Sequence, residues 1–394
     1  MSENHTHCYS HTKTNCPRCK NKVKIHESAI RVNNIIQKAI DDAGSDTEVL
    51  AFMWQWNTDQ GWSHDDVYYA IDEGLDKKIS LLSVSETRKP YNIGGVTGEV
   101  SDYSISNYGP GEYASKFLGH GVKTGRKAYA KIQANNSWEC AAVPYLPCFD
   151  LVWAHLDALS AVGIEDYMIS WTHGGYPSPT FNMIASYSPE TALDDWYDTY
   201  YGKNAVKVHE GVRKICDGFR EYPFSVPHMY SSPQNLGPAN MWSLRADEKT
   251  SGMICFSWDD YKKWMHNFPY EIFISQTEKM LALWREGTEI LKSIDGDERV
   301  TELVRMAEVA YLHLESDLVH TKYAYLKSDI KKNRAELISL MEFEKIRTEK
   351  LISLVMEDGR IGFEASNHYY YTANLLKEKL INMDKLISEL NELN

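Results

Sequence analysis

Residues 128–139 read AYAKIQANNSWE. A largely apolar run breaks there into amides, a serine, a tryptophan and a carboxylate. This is the pattern of a strand buried on both faces of a parallel sheet, with polar groups gathered at its C-terminal end. Three further runs have the same shape: 49–56 (VLAFMWQW), 79–86 (ISLLSVSE) and 166–172 (DYMISWT). Helical stretches lie between them. Ser63 and the acidic pair after it can cap 64–74, and 111–120 and 149–162 follow. In the last, Leu151, His155, Leu156 and Leu159 share a face, and Gly163 supplies the stop. Strand, helix, strand repeated three times predicts βαβ units, with four strands parallel and adjacent in chain order.

Beyond residue 270 the pattern changes. The stretches 272–292, 299–328, 330–357 and 372–393 are long, charged and apolar at three- and four-residue spacing, which predicts an antiparallel helical domain. The Pro/Gly-rich segments GGYPSPT and SSPQNLGPANM and the aromatic cluster SWDDYKKWMHNFPY fall before it. The expected division is therefore an α/β part over 1–185, with a Cys/His segment at 1–20, an irregular bridge over 186–270 and an α-helical domain over 271–394.

Bulk properties narrow the function. The 394 residues can bury a large core, and 43% apolar with 25% charged residues is ordinary composition. Net charge is −13, and no Lys/Arg-rich stripe interleaves with aromatics, so a nucleic-acid partner is not expected. No run of eighteen apolar residues occurs, so no membrane partner is expected either. The seven cysteines are scattered rather than framed as disulfides, which fits a reducing, cytoplasmic setting. The 25 Tyr and 11 Trp lean towards a ligand with flat apolar faces, such as a sugar.

The strand ends hold the candidate site, because parallel α/β barrels keep their chemistry at that face. Trp54 and Trp56 end the first run and Glu86 the second. Asn135, Asn136, Trp138 and Glu139 end the third and Trp171 the fourth. Against this, aromatic rings can line a mouth simply for packing, and a carboxylate can cap the next helix. Asp259 could accept from sugar hydroxyls or complement a helix dipole. Glu364, Asn367, His368 and Tyr369 could line a polar pocket or pin a domain junction. His7, Cys8, Cys16 and Cys19 have the composition of one zinc knuckle, without the second spaced pair; free thiols are the alternative. No other cofactor is expected, and the absence of an HExxH pattern argues against a zinc hydrolase.

Four segments in order, SENHTHCYS with its following CPRC, KIQANNSWECAAVPYLP, SWTHGGYPSP and GFEASNHYYYT, resemble uncharacterised bacterial glycoside-hydrolase-like proteins distantly related to the family 20 hexosaminidase barrels. The resemblance implies a (β/α)8 TIM-type barrel in which SEN ends strand four and the four runs are strands five to eight. It implies that the earlier strands are missing, so that either another chain completes the barrel, the chain self-associates, or the gene product is a non-functional fragment. It also implies a glycoside hydrolase acting on a β-linked glycan. Glu3 and Glu139 would then occupy the acid/base and nucleophile positions, with Trp171 stacking on the sugar and Glu86 a rival carboxylate. Family 20 enzymes carry an Asp just before the acid; Ser2 stands there, which departs from substrate-assisted hydrolysis. The other reading of the resemblance is a non-catalytic carbohydrate-binding or scaffold protein descended from a glycosidase. If Glu139 is the nucleophile, Glu139→Gln is expected to abolish turnover with the fold intact, and Glu3 and Glu139 to face one pocket lined by Trp171.

Overall fold

A computed structural model describes residues 25–53, 64–101, 103–169, 176–232, 234, 237–244, 261–362 and 371–393. In chain order the elements are α1 (Ile25–Asp42), β1 (Leu50–Phe52), α2 (His64–Gly74), β2 (Ser80–Val84), β3 (Lys89–Ile93), β4 (Val96–Val100), α3 (Glu112–Lys123), β5 (Ala128–Ile132), α4 (Phe149–Ser160) and β6 (Asp166–Ile169). The helices α5 (Pro179–Ala185), α6 (Leu193–Tyr201), α7 (Ala205–Phe219), α8 (Val226–Ser231), α9 (Tyr261–Trp264), α10 (Tyr270–Lys292), α11 (Glu298–Leu326), α12 (Ile330–Glu357) and α13 (Ala373–Glu392) complete it. The four expected strands form one parallel sheet in the order β1-β2-β5-β6, and the C-terminal region is helical as expected.

Contacts divide the chain into two compact units that are not consecutive segments. One comprises 1–89, 109–132 and 156–168, the other 90–108, 133–155 and 169–394. The stretch read as an irregular bridge contains the regular helices α6 and α7, because Val208, Val212, Ile215 and Phe219 recur at helical spacing and are all fully buried.

In the first unit β2 is central, pairing Leu50 with Ser80 on one side and Leu81 with Ala128 on the other. All five of its residues are buried, as its unbroken apolar character requires. Helix α3 covers β2 and β5 and turns Ala114, Phe117 and Leu118 inward. An arginine from beyond α3 closes the C-terminal end of α2. Arg126 donates from Nη1 to the carbonyls of Asp76 (2.7 Å) and Ile79 (2.6 Å), from Nη2 to those of Asp72 (2.7 Å) and Leu75 (3.2 Å), and from Nε to the Asp72 carboxylate. A cation thus satisfies the orphan carbonyls of a helix C-terminus, where the macrodipole is negative. Burial alone would push the Asp72 carboxyl pKa up, but the Thr124 hydroxyl at 2.8 Å and the Arg126 guanidinium outweigh it and hold the group below its usual value.

A folded-state pKa below the unfolded one adds stability above the ordinary carboxylate value of 3.8 and loses it as pH falls through the folded value. The slope from one such group reaches about 1.4 kcal/mol per pH unit. Urea midpoints measured from pH 5 to pH 2.5 should therefore fall less steeply in Asp72→Asn than in the wild type; parallel slopes would rule the linkage out.

The second unit contains most of the β3–β4 hairpin, which the sequence reading did not anticipate. Its two-residue turn is Gly94-Gly95, both at positive φ (58° and 83°), the geometry that keeps the strands' right-handed twist. The long helices are capped by side chains: Asp297 accepts from the Arg299 amide (3.1 Å), Asp329 from Lys332 (3.1 Å) and Thr372 from Leu375 (3.3 Å). Where α11, α12 and α13 meet, Val319, Tyr323, Leu337, Met341, Met383, Leu386 and Leu390 close a core with Trp242. No described helix is long and apolar enough to cross a membrane.

Candidate functional site

Strand β5 ends at Ile132, and the seven residues to Glu139 form a buried loop rather than an extension of the strand. Asn135, Asn136, Trp138 and Glu139 are 0–6% exposed. Their polar atoms bind protein. Asn135 donates from Nδ2 to the Tyr176 carbonyl (3.0 Å) and accepts at Oδ1 from Ser178 (2.5 Å), while its carbonyl accepts from the Leu146 amide (2.5 Å). Asn136 donates to the Val143 carbonyl (2.8 Å). The two amides therefore hold residues 135–146 and 176–178 in one shape.

Glu139 is bound most completely. Oε1 accepts from the hydroxyls of Ser104 (2.7 Å) and Ser106 and from the Ser106 amide (3.2 Å); Oε2 accepts from the Ile105 amide (2.7 Å) and the Ser137 hydroxyl (2.6 Å). No cation is among these partners. Three hydroxyls and successive backbone N–H groups of residues 105 and 106 surround a fully buried carboxylate, an anion nest built by the loop that follows the hairpin. Sequence reading put Glu139 at the mouth of the site, facing a pocket. Its carboxylate instead faces residues 104–106, because that loop supplies the donors water would otherwise give.

Glu86, two residues beyond β2 in the first unit, is also fully buried; its Oε2 accepts from the Ser85 hydroxyl (2.9 Å). Glu3, Trp54, Trp56, Trp171, Asp259, Glu364, Asn367, His368 and Tyr369 lie outside the described residues, as do His7, Cys8, Cys16 and Cys19. Among the described residues no group of three or more His, Cys, Asp or Glu is placed to hold a metal. Cys140, Cys148 and Cys216 are free and buried, and burial pushes the Cys140 thiol up to about 12, which leaves it unreactive at neutral pH.

Sequence reading missed a second polar group that borders the loop within the same unit. On α11 the inward stripe runs Leu303, Met306, Ala310, then His313, Asp317, His320 and Thr321, then Ala324, and every one of these is buried. Asp317 Oδ2 is 2.7 Å from His228 Nε2, and His228 Nδ1 is 3.3 Å from the Tyr222 hydroxyl. His313 Nε2 donates to the Gln234 carbonyl (2.7 Å), while the Gln234 side chain donates to the carbonyls of Trp138 (3.2 Å) and Glu139. Deeper along the stripe, Ser316 donates to Glu344 Oε1 (2.5 Å), which pairs with Lys379 (3.3 Å). The signal was legible: a helical apolar period that turns polar for three turns and then turns back marks a buried polar layer.

Compared with known proteins, the chain matches no family model, no curated protein and no solved structure.

Proposed function

We propose that the chain is a carbohydrate-active protein of the glycoside-hydrolase type, with its parallel sheet supplying strands five to eight of a (β/α)8 barrel. The observation that supports the reading is the sheet: four parallel strands in chain order, with the carboxylates Glu86 and Glu139 following the second and third. Hydrolysis of a glycosidic bond needs one carboxyl to protonate the leaving oxygen and a second to attack the oxocarbenium-like carbon or to activate water. In this reading the reacting pair is drawn from Glu3 and Glu86. Trp54 supplies a flat face for stacking.

One observation favours a second reading, a carbohydrate-binding protein without turnover. Every strong acceptor position of Glu139 is occupied by protein donors, so the carboxylate expected as nucleophile is committed elsewhere. A panel of aryl β-glycosides assayed beside glycan binding on the same sample separates the two. Turnover that falls at least about a hundredfold in Glu3→Gln or Glu86→Gln is the expected result. Binding without turnover selects the second reading, and neither binding nor turnover sinks both.

A further inference from the structure

We infer that His313 is a positioning residue for the loop carrying Asn135, Asn136, Trp138 and Glu139, and that it holds the loop through Gln234. The inference goes beyond the carbohydrate reading: it is a control on the loop's shape within one compact unit, which the two-carboxylate chemistry does not call for.

The connection is short and directional. A carbonyl only accepts, so the 2.7 Å contact between His313 Nε2 and the Gln234 oxygen fixes the proton on Nε2. The Gln234 amide then donates to two successive carbonyls of the loop, those of Trp138 and Glu139. One imidazole N–H and one carboxamide thus join the middle of α11 to the strand-end loop, all within one compact unit. Both residues are about 2% exposed, so no water competes for these bonds.

The other ring nitrogen decides what protonation does. His313 Nδ1 has no hydrogen-bond partner among the described residues, and it lies against Gly237, where a Cβ would come within 2.4 Å of it. Gly237 has φ +51°, a backbone conformation suited to glycine, so nothing larger stands against the ring there. Among the described residues, the titratable groups that face the ring are Asp317 on its own helix, already held by His228, and Tyr371, whose ring is 5.9 Å away and whose hydroxyl burial keeps protonated. Burial disfavours the imidazolium, and the Gln234 carbonyl and the Asp317 charge only partly offset it, so the pKa lies below its ordinary 6.5. With the folded-state pKa below the unfolded one, the arrangement is fully stable above pH 6.5 and loses stability as pH falls from there towards the folded value. Among the described residues the added proton meets no acceptor, and the ring must leave Gly237 and release the Gln234 carbonyl to find one.

Amide hydrogen exchange over residues 133–148, corrected for intrinsic rate, tests this at pH 7.5 and pH 5, with α10 as the reference for global opening. Wild-type protection of the loop should fall about tenfold on acidification while α10 keeps its protection. His313→Gln can donate to the same carbonyl and cannot titrate, so it should hold the loop equally at both pH values. His313→Ala should lose about tenfold at both. Unchanged protection in His313→Ala at pH 7.5, or an acid-induced loss that persists in His313→Gln, overturns the proposal. If the alanine variant does not fold, the glutamine variant at two pH values still decides. No glycan enters the experiment, so a failure of the carbohydrate reading shows only in the binding and turnover assays.

Discussion

Glu139→Gln should lose about 3 kcal/mol of folding stability at pH 7, and Glu139→Ala more. The carboxylate accepts from five groups, the hydroxyls of Ser104, Ser106 and Ser137 and the amides of Ile105 and Ser106. Hydroxyls can rotate and accept from a new NH2 group; backbone amides cannot. In either orientation the glutamine NH2 would meet a backbone N–H, at Ser106 on one side or at Ile105 on the other. One donor is then left facing another in a fully buried site, which costs the desolvation of both. Shape conservation between Glu and Gln therefore does not make the substitution silent, and the expectation of an intact fold gives way to one of a loosened loop. Urea unfolding followed by circular dichroism, with an unchanged m-value, is the measurement. A variant within about 0.5 kcal/mol of wild type, the range of ordinary surface substitutions, would show that the nest contributes nothing.

The same substitution bears on function. Loss of activity in Glu139→Gln would not identify a nucleophile, since a displaced loop would carry Asn135 and Trp138 with it. The variants that speak to chemistry are those at Glu3 and Glu86. Stability measured beside activity separates the roles: a catalytic carboxylate can be lost at constant stability, while a nest carboxylate cannot.

Much of the fold was legible because it is written in periods. The four apolar runs gave the strands and their order, and the 3.6-residue pattern placed α10, α11, α12 and α13 within about two residues of their observed ends, the usual uncertainty of helix termini. Two elements were readable and were passed over. Gly94-Gly95 between alternating residues is a hairpin signal, and the apolar spacing through Val208, Val212 and Ile215 is helical in spite of its Pro/Gly-rich neighbours. The site was less legible for a physical reason. Asparagine, serine and glutamate at a strand end look the same in sequence whether they face a ligand or each other. Only the position of residues 104–106, some thirty residues earlier in the chain, shows that Glu139 faces protein. His313, Asp317 and His320 were hidden differently, since each alone is an ordinary polar residue on a long charged helix and only the stripe they share exposes them.

Lys379→Met should lose about 3–5 kcal/mol, and pairing it with Glu344→Leu should restore most of the loss. Lys379 and Glu344 are both 0% exposed, and Lys379 Nζ lies 3.3 Å from Glu344 Oε1 and 3.2 Å from the Pro238 carbonyl. Trp242 places its ring 5.0 Å from the same ammonium. Burial pushes the Lys379 pKa down and the Glu344 charge works against that shift, so the ammonium is held by its partners rather than by water. Removing the lysine leaves a buried carboxylate with the Ser316 hydroxyl as its remaining hydrogen-bond donor among the described residues, and a single charge in that environment costs far more than the pair. Removing both charges leaves only a serine hydroxyl, which can turn to a carbonyl one helical turn back, and the Pro238 carbonyl short of one donor. The double variant should then lie within about 2 kcal/mol of wild type, with a coupling energy of about 2 kcal/mol or more from the double-mutant cycle. Additive losses would mean that the two side chains do not act as a pair. The core around Trp242 would then owe its arrangement to apolar packing alone, through Val319, Tyr323, Met341 and Met383.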